Sequence, residues 1–194
     1  MKGIANFLFE VGMLKKTPRS GWGFLPGAVG ESVADHVFRT TVIAWVLARM
    51  VPEVDDARVV QLALVHDLEE ARTSDLNYVH QRYVTVDEAA ASRDQARGLP
   101  FGEELVELSA EYRAALSPEA RLAHDADQLE MLISLKEQLD GGASAAGQWI
   151  PFVLERLRTD SAKELAETIL GCQSQDWWFD RESDWWVRGG KGGG

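Results

Sequence analysis

Cysteine, histidine and long apolar runs are all scarce in this chain of 194 residues. The single cysteine, Cys172, cannot close an internal disulfide. No apolar stretch reaches the roughly 18 residues that a membrane span needs. The N-terminus shows neither the basic start nor the small-residue cleavage site of a secretory signal. These absences point to a cytoplasmic protein in a reducing compartment, with no membrane partner. Basic residues are outnumbered, 20 against 31, for a net charge of −11. A surface of that sign repels a nucleic-acid backbone and argues against a polymer ligand. A small anionic substrate stays open, provided that arginine and metal override the global field locally. With only four histidines, the place of each one is informative.

Strand periodicity is missing too, since nothing alternates with period two over a useful length. There is no internal repeat and no domain linker. What is present is the helical period, with 45% hydrophobic residues, enough for one domain with a sizeable core. The expected fold is all-α. A first amphipathic helix covers about Ile4 to Lys16, followed by a Gly- and Pro-rich loop from Thr17 to Gly27. Ser32, with Asp35 three residues on, signals a capped helix through Met50, ended by Pro52. Asp55 or Asp56 opens the next helix, which carries His66 and Asp67. Residues Ser74 to Thr85 read as loop. Further helices are expected over Val86 to Arg97, Glu103 to Leu116, Pro118 to Leu139 and Pro151 to Leu170, with Pro118 and Pro151 in first turns. Residues 1–170 then form the domain. Residues 171–188 form a Trp-rich segment (Trp177, Trp178, Trp185, Trp186) packed on the domain or on a second subunit. The glycine-rich tail, residues 189–194, is expected to be disordered.

The run Leu62-Ala63-Leu64-Val65-His66-Asp67-Leu68-Glu69-Glu70 sets a histidine and an aspartate at the end of an apolar helix. Polar groups desolvated there cost several kcal/mol unless they are paired or bind a metal. With His36 from an earlier helix and an aspartate from a later one, they make a ligand set for one divalent metal. Adjacent helical residues point about 100° apart, so His66 and Asp67 converge only on an ion seated close to a helix end. The later aspartate is contested. Helical spacing puts Asp125 on the apolar face with Leu122, Leu129 and Leu132, whereas Asp127 falls nearer Glu130 and Ser134.

In order and spacing, these residues resemble the HD-domain metal phosphohydrolases. The flanks Glu31-Ser32-Val33-Ala34-Asp35-His36, His66-Asp67-Leu68-Glu69-Glu70 and Asp127-Gln128-Leu129-Glu130-Met131 are similar to the YfbR-type 5′-deoxynucleotidases. Arg19-Ser20-Gly21-Trp22 is similar to the Arg/Trp element ahead of their first histidine, although there the two residues are adjacent. The resemblance covers roughly residues 4 to 140. It implies a single-domain helical bundle with His36, His66, Asp67 and Asp127 holding one divalent transition metal (Mn, Co, Fe or Zn). It implies catalytic roles for Glu70 and Asp75, with Asp75 touching substrate or the attacking water. The substrate it implies is a deoxynucleoside 5′-monophosphate, cleaved to deoxynucleoside and phosphate by a homodimer.

The residues themselves qualify these roles. Glu70 lies one turn after His66 and shares its face. Arg19 offers a fork that grips two phosphate oxygens, and Trp22 is either a wall for the sugar or a packing residue. Arg39 faces the site or forms a surface ion pair. Glu69 reads as a solvated carboxylate, Asp125 as a surface or capping one, His124 as exposed and His80 as a loop residue. The competing functions are a phosphodiesterase or hydrolase of another signalling nucleotide, for which a bimetallic site needs more histidines, and a non-catalytic metal- or nucleotide-binding module.

Overall fold

A computed structural model describes residues 1–180, 182–183 and 185–188. The tail expected to be disordered lies outside these. Among the described residues there are helices and no strand, and the only β-type pairing is an isolated bridge between Pro18 and Ser32. The α-helices are α1 (Lys2–Val11), α2 (Val33–Met50), α3 (Asp56–Val65), α4 (Glu70–Thr73), α5 (Tyr78–Gln81), α6 (Glu88–Ala96), α7 (Gly102–Ala114), α8 (Pro118–Asp140), α9 (Ile150–Leu154), α10 (Asp160–Gly171) and α11 (Trp185–Arg188). No described helix is long and apolar enough to cross a membrane.

The centre of the bundle is α8 packed on α2 and α3, with α2 and α3 also packed on each other. Leu122, Leu129, Leu132 and Leu135 of α8 are almost fully buried, and they meet Leu47 of α2 and Val59 and Leu62 of α3 in one core. The starts of these helices are fixed by short polar side chains. Ser32 and Asp35 form a reciprocal capping box on α2, with 3.2 Å from Asp35 N to Ser32 Oγ and 3.0 Å from Ser32 N to Asp35 Oδ2. Asp55 accepts from the amides of Ala57 and Arg58 to start α3, and Ser117 accepts from Ala120 to start α8, with Pro118 in the first turn. The loop between α1 and α2 is closed as a hoop: Val33 N donates to Thr17 O and Arg19 N to Glu31 O, each at 2.9 Å.

Four boundaries differ from the sequence expectation. The helix expected to carry His66 and Asp67 ends at Val65, with His66 as its cap. The first helix ends at Val11 and continues as a 3-10 turn, Gly12–Lys15. The loop after Ser74 contains α5, started by Asn77, whose side chain accepts from Val79 and His80. The helix expected over Pro151 to Leu170 is broken into α9 and α10. Its break is held by Asp125, fully buried, whose carboxylate accepts from Arg158 N (2.9 Å), Thr159 N (2.8 Å) and Thr159 Oγ1 (2.6 Å). The strong apolar position of Asp125 on its wheel is therefore that of a buried cap. In the Trp-rich segment, Trp178, Phe179, Trp185 and Trp186 pack on one another with ring centroids 4.4–5.7 Å apart. Ser174 N ties the start of that segment to Asp140 at 2.8 Å.

Candidate metal centre

His36 stands in the first turn of α2 and is fully buried. Its Nδ1 lies 2.7 Å from Glu130 Oε2, so a proton on Nδ1 goes to the carboxylate and Nε2 is left facing inward. His66 is built the same way with a backbone partner: Nδ1 lies 2.7 Å from Ala63 O. It caps α3, and after it the chain turns tightly, with Leu68 N donating to Val65 O and Glu70 N to Asp67 O. This turn, in place of a continuing helix, lets adjacent His66 and Asp67 aim at one point. Their Nε2 and Oδ2 atoms are 3.2 Å apart.

Four groups converge there. His36 Nε2 is 3.3 Å from His66 Nε2, 3.1 Å from Asp127 Oδ1 and 3.7 Å from Asp67 Oδ2. The ligand atoms of His36, His66 and Asp67 lie within 4.8 Å of one another. Asp67 Oδ2 is buried without a hydrogen-bond partner. Two imidazole nitrogens aimed at each other and at an orphaned carboxylate oxygen repel unless a proton or a metal ion lies between them. Imidazole with carboxylate is also a donor set suited to first-row divalent metals, so the residues fit such an ion. Asp127, and not Asp125, faces this point; Asp125 is engaged on α10.

The site is strongly polarised. For the His36 imidazolium, burial and the charge of Arg19 oppose protonation, but hydrogen bonds to Asp127 and Glu130 prevail and push it up to about 10. Burial opposes ionisation of Asp127 and Asp67 too, yet the two imidazoles and Arg19 hold both carboxyls below their ordinary range. Glu70 goes the other way. Burial, then the charges of Asp67 and Asp75, push its carboxyl up to about 9, and its Oε2 is buried with no partner. Arg19 reaches to 3.5 Å from Asp67 Oδ2; burial opposes its charge, but Asp67, Asp127, Asp75 and Glu70 keep it firmly cationic. Asp75 follows Ser74, which has φ 62 and ψ 159, a region that strains any residue with a Cβ. From there the Asp75 carboxylate accepts from Ser20 N at 2.6 Å and its carbonyl from Ser20 Oγ at 2.8 Å. Asp75 thus pins the residue next to Arg19.

Trp22 is buried, stacks near-parallel on Trp149 with centroids 6.5 Å apart, and donates from Nε1 to Glu31 at 3.1 Å. Its ring is part of the core. Arg39 binds Glu130 through Nε (3.0 Å) and Nη2 (2.8 Å) and Glu137 through Nη1, so it supports the carboxylate behind His36. His80 is exposed on α5. Two expectations are corrected. Glu69 is buried, not solvated, and pairs with Ser109 and Arg113 of α7 because the turn after His66 carries it inward. His124 is half-buried, not exposed, stacked 4.0 Å from the Tyr112 ring with its Nε2 2.8 Å from Tyr112 O. Glu130 was visible in the sequence only as the neighbour of Asp127. Its signal was a charge one turn after Asp127, set among the buried positions of α8.

Comparison with known proteins identifies the family. The HD domain family matches residues 11–169. The chain is 33% identical over 144 residues to the 5′-deoxynucleotidase HDDC2 of Homo sapiens, covering 72% of this chain and 70% of that one. It is 31% identical over 144 residues to the 5′-deoxynucleotidase hdd1 of Schizosaccharomyces pombe, covering 69% and 71%. A conserved hypothetical protein from Pyrococcus furiosus superposes with a TM-score of 0.75 at 32% identity, covering 87% of this chain and 99% of that one. The chain belongs to the HD-domain family.

Proposed function

We propose that this chain is a metal-dependent phosphomonoesterase that hydrolyses deoxynucleoside 5′-monophosphates to deoxynucleoside and phosphate. The observation that carries the reading is the convergence of His36 Nε2, His66 Nε2, Asp67 Oδ2 and Asp127 Oδ1, next to Arg19 and Glu70. Similarity to relatives named 5′-deoxynucleotidases supports the substrate class. The four converging groups would hold one Mn, Co, Fe or Zn ion, and such an ion supplies Lewis-acid polarisation of a phosphoryl oxygen and an activated water. Arg19 grips the phosphate as a bidentate cation. Glu70, whose carboxyl burial and then Asp67 and Asp75 push up, gives its proton to the departing 5′ oxygen. Asp75 fixes the Arg19 loop through Ser20 and offers its remaining oxygen to the attacking water or to substrate. Trp22 backs that loop from the core.

The single cysteine suits a reducing cytoplasm, and the exposed Phe38 and Trp45 on the outer face of α2 support a homodimer. The test is phosphate release from a panel of deoxy- and ribonucleoside 5′-monophosphates, with chelator-stripped protein and Mn, Co, Mg or Zn restored. Release from the deoxy panel that returns with a transition metal is expected. Silence across the panel with metal demonstrably bound would overturn the reading.

A further inference from the structure

Asp127 brings one oxygen to the centre: Oδ1 lies 3.1 Å from His36 Nε2. Its other oxygen, Oδ2, accepts from Gln128 Nε2 at 2.8 Å. Neighbours on a helix point about 100° apart, so this pair does not meet by position alone. The Gln128 side chain reaches back to its neighbour, and its other end is held: Oε1 accepts from Arg156 Nη1 at 3.2 Å. Arg156 comes from the chain between α9 and α10, and its guanidinium lies over the Tyr78 ring, 5.0 Å from the ring centre. Tyr78 opens α5. In the stretch 76–86, residues 78–85 are all exposed, and Leu76, Val84 and Val86 wall a cavity of about 340 Å3 that reaches His66, Asp67 and Glu70. A line of contacts thus runs from this wall to the metal centre, through Tyr78, Arg156, Gln128 and Asp127 in turn.

We infer that Gln128 is the positioning residue of Asp127 and that Arg156, seated on Tyr78, sets Gln128. The inference rests on the reading of Asp127 as a metal ligand and adds the device that aims it. A side-chain amide has a donor end and an acceptor end of nearly equal shape, whereas a guanidinium carries donors only. Arg156 therefore takes the amide oxygen and leaves the nitrogen for Asp127. Turned the other way, the amide would set its oxygen against a carboxylate and its NH2 against a guanidinium, a repulsion at both ends. Arg156 fixes the sense of the amide, and the amide occupies Oδ2 and leaves Oδ1 to the centre. Partners of this kind hold a ligand's direction and its basicity. Arg156 is itself exposed, and the ring beneath it supplies its seat by cation–π attraction. Through Tyr78, the placement of the cavity wall is felt at Asp127, although no residue of that wall beyond Asp67 and His66 belongs to the four converging groups.

Co(II) affinity, measured in competition with a chromophoric chelator, and the visible bands of the Co(II)-loaded protein test this on the full chain. Gln128→Met keeps the length of the side chain but neither polar end. It should weaken binding by about 10- to 100-fold and change the Co(II) bands. Arg156→Ala and Tyr78→Ala should each weaken binding by about two- to fivefold, the size of an exposed cation–π contact. Tyr78→Phe keeps the ring and should match the wild type. In the Gln128→Met background, Arg156→Ala should cost nothing further, a non-additivity that independent damage at the two sites does not give. Unchanged affinity in Gln128→Met, weaker binding with unchanged bands, or full additivity of the two substitutions would overturn the relay. Asp127→Asn separates the two readings. If it alone weakens binding, the relay falls and Asp127 stands as a ligand; if it too leaves affinity unchanged, both fall.

Discussion

A histidine that gives Nδ1 to a carboxylate has one nitrogen left, and its direction is then set by that bond. Glu130 does this for His36 at 2.7 Å, and Arg39 in turn holds Glu130 from the other side. Partners of this kind typically govern metal affinity by about 10- to 100-fold. Glu130→Gln, which keeps size but not charge, is expected to weaken metal binding within that range in competition with a chromophoric chelator. Glu70 should separate from it. Glu70→Gln keeps the four converging groups, so metal binding survives while turnover falls by about 10²–10⁴-fold; retained turnover would remove the proton-donor role. Much of this was legible from residue order: His36, His66 and Asp67 were singled out by their apolar surroundings, and Asp127 by the resemblance alone. The inward course of Glu69 was not, because it depends on the tight turn after His66 and not on any periodicity. The choice between Asp125 and Asp127 could not be read from helical spacing, which favours Asp125 because a buried cap also sits on the apolar face; only the resemblance pointed to Asp127.

At the scale of elements, the caps were readable and the breaks were not. Ser32, Asp55 and Ser117 start helices where short polar residues precede apolar periodicity. The break between α9 and α10 comes from Asp125, 33 residues before the Arg158 amide it receives, and no local pattern carries such a contact. Asp125→Ala would leave two backbone amides and a hydroxyl unpaired in the interior. The expected loss is about 3 kcal/mol, read as a lower urea midpoint, with metal affinity unchanged. If the variant instead loses metal and keeps its stability, the assignment of the two aspartates is reversed. Gly102, at the start of α7, is a second such point. A Cβ there would run into the carbonyl of Ala96, so Gly102→Ala should lower stability by about 1–3 kcal/mol, although alanine is the better helix former.

For the whole molecule, the charges at the centre make stability depend on pH and metal together. His36 rises from an ordinary 6.5 to about 10 in the folded metal-free protein. Its contribution is therefore complete below 6.5 and is lost as pH climbs toward 10. Glu70, raised to about 9, acts in the same direction. Asp127 and Asp67 are lowered, and their contribution is present above the ordinary carboxylate range and lost in acid. Chelator-treated protein should thus be most stable in mildly acidic solution and lose stability between pH 7 and 10 in urea titrations. A metal displaces the His36 proton, so the stabilisation it adds should grow over the same interval. A metal effect that shrinks as pH rises would contradict this account of the centre.

The indole of Trp22 has a consequence for spectroscopy. It is sheltered from solvent and bound to Glu31, whose carboxylate lies within 4.8 Å of the His36 and Glu130 ligand atoms. Trp45, Trp177, Trp178, Trp185 and Trp186 are 41–86% exposed, so acrylamide should quench their emission while sparing that of Trp22. What remains after quenching is blue-shifted light dominated by Trp22 and the half-buried Trp149 stacked on it, a pair wired to the back of the metal centre and an intrinsic optical gauge of its occupancy.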